Sequence, residues 1–379
     1  MNSFATYSAS RSVVMRMAFM LCVLLALASG LSGGLVRAGV TLPASHWLTA
    51  AVSGHAFLMI CAFMGTVIGI ERAVAVKRPL SFAAPIVSAS GGLARLVGAT
   101  DLAAWLVAAA SLAFVAVNIV IVRRQPASHT GLLLVAALAW STGSLLHAIA
   151  PGSSAVVPLW FSFLVFTIAA ERLEMTRLMR RRPGASGALY VVLAAMLFGA
   201  ALSVVSVAWG GLVYGLSLSA LALWLIQFDI ARRTVRARGL SRYMALCLLL
   251  GYAWLFVAGG AWVATSVGLP YRDAALHALA LGFVFSMMLG HAPVILPAIA
   301  RIKVQFGALY YLPLALLHGS LILRLGVGHF DWRALTAGAV GNAVAIAAFA
   351  ATVAGSAIAW RKRHAQPRTS DHHGIPAEH

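Results

Sequence analysis

Apolar runs of about 18 to 23 residues recur along this chain, broken by short polar or Gly/Pro stretches, and a run of that length crosses a bilayer as a helix. No other feature constrains the fold so tightly. Backbone groups in hydrocarbon must be satisfied within their own segment, so an all-α membrane protein is expected. Read this way, about twelve spans run approximately over 14–33, 47–70, 81–99, 102–122, 129–150, 154–172, 187–207, 209–228, 241–266, 273–297, 307–326 and 334–360. The segment 81–99 is Gly/Ser-rich and carries Arg95. If it were a loop, the count would be odd and the termini would lie on opposite sides.

The basic residues argue against an odd count, because they cluster after every second span. The clusters are Arg72, Lys77 and Arg78; Arg123 and Arg124; Arg172, Arg177, Arg180, Arg181 and Arg182; Arg232, Arg233, Arg236, Arg238 and Arg242; Arg301 and Lys303; and Arg361, Lys362 and Arg363. The expected topology is therefore twelve helices in a bacterial inner membrane with both termini cytoplasmic. Residues 1–13 form the N-terminal arm, 14–360 a single integral-membrane domain, and 361–379 a disordered tail of Pro, Ser, His and charge. A net charge of +19 would suit nucleic acid, yet only 10% of residues are charged and the basic ones sit in short connections. The lipid bilayer, not nucleic acid, is the expected partner. Arg11, Arg16 and the run Met17 to Leu31 resemble a signal peptide but lack an A-x-A site, so a retained first helix is expected. Cys22, Cys61 and Cys247 lie inside apolar spans with no paired spacing, which reads as core.

FMGTVIGIER, Phe63 to Arg72, aligns with FLVFTIAAER, Phe163 to Arg172, at an offset of 100 residues, and LPAIAR, Leu296 to Arg301, is a faint third copy. These are the ends of the second, sixth and tenth spans, which suggests a pseudo-three-fold repeat of four helices.

Ionisable side chains at membrane depth are functional candidates by default, because lipid satisfies none of their polar atoms. HALALGFVFSMMLGHAP carries His277 and His291, fourteen residues apart; on an α-helix that is roughly 21 Å, with both rings within about 40° of one face. His55, in the outer half of the second span, pairs with His277 as the expected axial set of a bis-imidazole haem between two helices. His291 and His318 share a similar depth in the inner half, which makes them candidates for a second metal or haem site. Against that stands a structural role for His291, bonding a carbonyl freed by Pro293. Met59, Met64, Met287 and Met288 beside these histidines leave copper open as an alternative. His147 lies close to the outer end of its span, where no ligand is needed to stabilise it. Arg324 and Arg272 lie on the outer side, either bonding haem carboxylates or snorkelling to the interface. Glu71, Arg72, Glu171, Arg172, Glu174 and Asp229 gather at inner helix ends and read as locks between helices. No carboxylate lies near mid-depth, so proton pumping is not expected.

Twelve helices, a four-helix repeat, and His55 and His277 on the second and tenth spans together resemble the catalytic subunit of the haem-copper oxidases. The resemblance implies a haem-copper-oxidase-like bundle with those two residues as low-spin haem ligands. The sixth and seventh spans contain no histidine, where that family places copper ligands, so oxygen reduction is not implied. Around His55 to Arg72, Glu171 to Arg177 and His277 to Pro297 the chain is also similar to the oxidase-like membrane proteins of the nitric-oxide-response (NnrS-type) group. That likeness implies a haem b protein of the inner membrane, connected with electron transfer, redox stress or nitric oxide and served by a membrane redox partner. The rival reading is a transporter, or a copper- or haem-handling assembly protein without redox turnover, for which Gly282, Gly290 and Pro293 would break a helix near mid-depth.

Overall fold

A computed structural model describes residues 2–176, 183–300 and 302–365, with side chains for 17–176, 183–297 and 302–364. Among the described residues every regular element is helical. Among the described residues eleven helices are long and apolar enough to cross a membrane, from Met17–Arg37 to Trp332–His364. The chain is thus a multi-pass, all-α membrane protein. The helix Asn2–Arg37 absorbs the expected N-terminal arm, and Trp332–Ala365 continues past the expected start of the tail. The rest of that tail, and Arg177, Arg180, Arg181, Arg182 and Arg301, lie outside the described residues.

The expected third span is shorter than expected. A 3-10 turn, Pro79–Phe82, leads into the helix Ala83–Leu96, whose 14 residues measure about 21 Å at 1.5 Å each. Helix-breaking Gly98, at φ +87°, ends the segment early. The chain nevertheless changes ends here. Arg124 Nη1 donates to the Val76 carbonyl at 2.8 Å, which places both beside the Lys77–Arg78 turn where the segment starts. At its other end Arg95 donates to Ser53 Oγ, also at 2.8 Å, next to His55. This short helix therefore runs from the basic end to the end that holds Ser53 and His55. The first and the last long helix both reach the basic end: Phe19 rests on Phe82 with ring centroids 6.2 Å apart, and Lys303 lies 5.0 Å over the Trp360 ring.

Three helices form the centre. In Phe57–Val76, Val156–Met175 and Arg272–Pro297, 67%, 89% and 61% of the apolar window is buried, against 11% in Trp332–His364. They are the helices whose sequences align in the repeat. At the basic end the first two are clasped by Arg72 Nη2 donating to Glu171 Oε1 at 3.0 Å. Arg172 donates through Nε and Nη2 to both Asp229 oxygens at 2.8 and 3.1 Å, with both side chains buried. Of the groups read as locks, Arg72 with Glu171 and Arg172 with Asp229 clasp separate helices, whereas Glu71 lies 3.6 Å from its own neighbour Arg72.

Two of the central helices are not α-helical throughout. Phe57–Gly65 and Ala278–Phe285 are π-helical, each beginning within two residues of a histidine. A π-helix is uncommon and concentrates at functional sites, since its wider turn shifts everything downstream around the axis. The Cys61 carbonyl inside the first accepts from Ser88 Oγ at 2.9 Å. Phe63 and Phe285 stack across the two segments with centroids 6.1 Å apart.

Candidate functional site

His55 follows the helix His46–Ser53, whose start is fixed by Ser45 Oγ accepting from Leu48 N at 3.1 Å. Its ring leans on the first helix through the run Gly30-Leu-Ser-Gly-Gly34. Nδ1–H donates to the Gly30 carbonyl at 2.7 Å. A methyl group on Gly34 would come within 2.7 Å of His55 Cε1, and one on Gly33 within 2.3 Å of the Ala51 carbonyl oxygen. Small residues here let two membrane helices approach until backbone meets ring. Gly34→Val is accordingly expected to displace the His55 ring while leaving the helices inserted. Intact size-exclusion behaviour with weakened ligand retention would check it.

His277 ends the helix Arg272–His277. Its Nδ1–H is shared between the Asp273 carbonyl at 3.1 Å and Asp273 Oδ1 at 2.8 Å, one helical turn back. Asp273 is held in turn by Arg324, whose Nε and Nη2 donate to Oδ2 and Oδ1 at 3.0 and 2.8 Å. Arg324 Nη2 also lies 3.3 and 3.2 Å from the two His277 ring nitrogens. Near-equal distances put the guanidinium over the ring face, because in the ring plane it would strike Cε1. Arg324, expected either to snorkel or to bond haem carboxylates, does not snorkel: it is buried, pairs with Asp273 and lines the same cavity as His277. Sequence reasoning missed Asp273, although its four-residue spacing from His277 was the available signal.

The rings of His55 and His277 face each other with centroids 6.3 Å apart and planes 26° from parallel. They line one cavity of about 600 Å³, whose walls are mainly apolar, Met59, Phe161, Leu276 and Phe285 among them, with Arg37, Arg272 and Arg324 also on its lining. Both Nδ1–H groups point away to fixed acceptors. Each Nε2 is thus left as the lone-pair atom, the arrangement by which outer-shell partners orient a metal-binding imidazole.

His277 and His291 do not lie on one continuous α-helix. The π-helical residues Ala278–Phe285 turn less per residue than the ~100° of an α-helix, so the same-face reading fails. His291 bonds the Met287 carbonyl through Nδ1 at 2.7 Å, and its Nε2 is buried with no hydrogen-bond partner among the described residues. His318 instead accepts from Trp254 Nε1 at 2.8 Å and approaches Ser286 Oγ at 3.4 Å. The two share no partner, and nothing draws them into the expected second site. Met64 and Met287 are buried in packing, while Met59 lines the cavity. Cys61 and Cys247 are buried and Cys22 is half-buried, all three as free thiols.

The family model of a domain of unknown function, DUF8744, matches residues 16–358. The chain belongs to the DUF8744 family. The match runs from the first membrane helix to the last, so His55, Asp273, His277 and Arg324 all fall within the domain. No curated protein and no solved structure matches the chain.

Within this DUF8744 chain the chemistry of the site rests on its donors. Among the described residues no group of three or more His, Cys, Asp or Glu side chains could hold a metal ion. Two imidazoles are few donors for a bare transition-metal ion, whereas a tetrapyrrole brings its own equatorial nitrogens and asks the protein only for axial ligands. The residues fit such a group. The volume lies within the usual range for cofactor pockets, the walls are apolar, and the cationic residues on the lining suit propionates.

Proposed function

We propose that this protein is a b-type haem protein of the bacterial inner membrane, with His55 and His277 as the two axial ligands. The observation that carries this reading is the facing pair of imidazoles, 6.3 Å apart, each tethered by Nδ1 and both opening on one apolar cavity. A haem bound through two imidazoles supplies reversible one-electron chemistry with no open coordination position. The role is therefore electron transfer or redox sensing rather than oxygen reduction.

The protein's own groups bind and orient. Gly30 and Asp273 fix which nitrogen of each ring carries the proton, and Arg324 holds the Asp273 carboxylate in place. Met59, Phe161, Leu276 and Phe285 exclude water from the faces of a bound ring. Arg37 stands ready for carboxylates. The three central helices related by the sequence repeat support a pseudo-three-fold bundle like that of the haem-copper oxidases. The likeness to NnrS-type proteins supports a link to nitric oxide or redox stress, with electrons exchanged through a membrane partner. By the positive-inside rule the shared basic end is cytoplasmic, and both termini with it.

The test is the reduced-minus-oxidised visible spectrum of protein purified in mild detergent from haem-replete cells, with a pyridine haemochrome assay on the same sample. One haem b per chain is expected. A colourless, iron-free preparation would remove the reading and leave transport or assembly.

A further inference from the structure

The end of the bundle that holds His55 contains a second cavity, of about 450 Å³, which shares Arg272 and Leu276 with the first. It adjoins the first. Ser53, Ala56, Val157, Arg272 and Leu276 line both, so their occupants would be separated by a single layer of side chains. Three of its walls are aromatic: Phe57, Trp160 and Trp262. The His147 ring stands edge-on to Trp160 with centroids 5.1 Å apart and lies 5.8 Å from Phe57. Glycines make the space. A methyl on Gly143 would come within 2.9 Å of Trp160 Cδ1, and one on Gly211 within 2.9 Å of Ser266 Cβ.

The polar groups specify a ligand. Thr265 and Ser266 line the cavity, but their hydroxyl hydrogens are committed to the Ala261 and Val263 carbonyls at 2.8 and 2.7 Å. Toward an occupant these two oxygens can only accept, so the occupant must bring an O–H or N–H. His147 and Arg272 supply the donors. Neither has a hydrogen-bond or ion-pair partner among the described residues, and no carboxylate lines the cavity, which disfavours a cationic ligand. A flat ring between aromatic walls, donating on one side and accepting on the other, has the chemistry of a hydroquinone. The cavity opens among the ends of membrane helices, where a lipid-dissolved ring can arrive without a soluble carrier.

We propose that this second cavity binds the ring of a membrane quinol, with His147 and Arg272 on one of its oxygens and Thr265 and Ser266 on the hydroxyl of the other. As the electron partner of the neighbouring site, the quinol rests on the haem reading; as a ligand, it does not. No electron or proton moves on binding.

The test titrates decylubiquinol, anaerobically and by calorimetry, into the full-length protein in detergent, against protein-free micelles. One saturable site per chain is expected. His147→Phe and the pair Thr265→Val with Ser266→Ala are each expected to weaken it about tenfold or more through lost hydrogen bonds. The second variant preserves shape and guards against misfolding in the first. Heat no greater than that of micelles, or equal affinity in the parent and both cavity variants, overturns the proposal. A colourless parent that binds quinol overturns only the haem reading, and a pigmented parent that does not bind overturns only this one.

Discussion

His55→Ala and His277→Ala are each expected to strip the protein of pigment while leaving it folded. On the proposed reading each ring would be one of two haem ligands, and each is tethered at Nδ1. Changing an outer-shell partner of a metal ligand typically weakens binding 10–100-fold, and removing the ligand itself is expected to exceed about 100-fold. Haem content by pyridine haemochrome, beside helicity by circular dichroism, reads the two effects apart. Asp273→Asn makes a graded companion. The Asp273 carboxylate accepting from Nδ1–H would make His277 a stronger donor to a bound haem, so its loss is expected to raise the reduction potential and to cost about tenfold in haem retention. Unchanged pigment in both alanine variants would disprove the ligand assignment.

The second large effect lies at the other end of the bundle. Asp229→Ala is expected to destabilise the protein by about 3–5 kcal/mol, because it leaves the Arg172 guanidinium buried without its counter-ion. Arg172 is 3% exposed and Asp229 6%, so water cannot take over. Asp229 Oδ1 also accepts from Ala231 N at 2.7 Å, and the variant loses that bond too. Arg172→Met combined with Asp229→Leu removes both charges together and is expected to recover most of the loss, since a buried pair repays little beyond its own desolvation. Thermal unfolding in detergent compares the three proteins. A change within about 0.5 kcal/mol for Asp229→Ala would show the pair to be solvated.

Most of the architecture is legible in the chain because hydropathy is a strong signal. Eleven spans follow from apolar length, and the shared side of the termini from the positions of Lys77, Arg124, Lys303 and their like. Segment 81–99 reads poorly because Gly and Ser carry little hydropathy. Its crossing is fixed by what its ends touch, Arg95 on Ser53 and Arg124 on Val76. The histidines stand out against hydrocarbon for the same reason that the spans do. That His318 bonds Trp254 while His291 bonds the Met287 carbonyl was hidden, because their similar depth says nothing about direction around a helix axis. Ala278–Phe285 is as apolar as any α-helical span, so no composition betrays a π-turn, and the assumed α-helical phase failed there.

What the sequence by itself determined is the set of membrane crossings and the residues too polar to be idle among them, since both follow from transfer of side chains between water and hydrocarbon. What only the tertiary structure decided is which of those residues meet. His55 reaches His277 because glycines bring the first helix against the second, because a π-turn resets the phase beyond each ring, and because Asp273 and Arg324 lie together though 51 residues apart. Each of these is a matter of distance between helices, which a one-dimensional pattern does not carry.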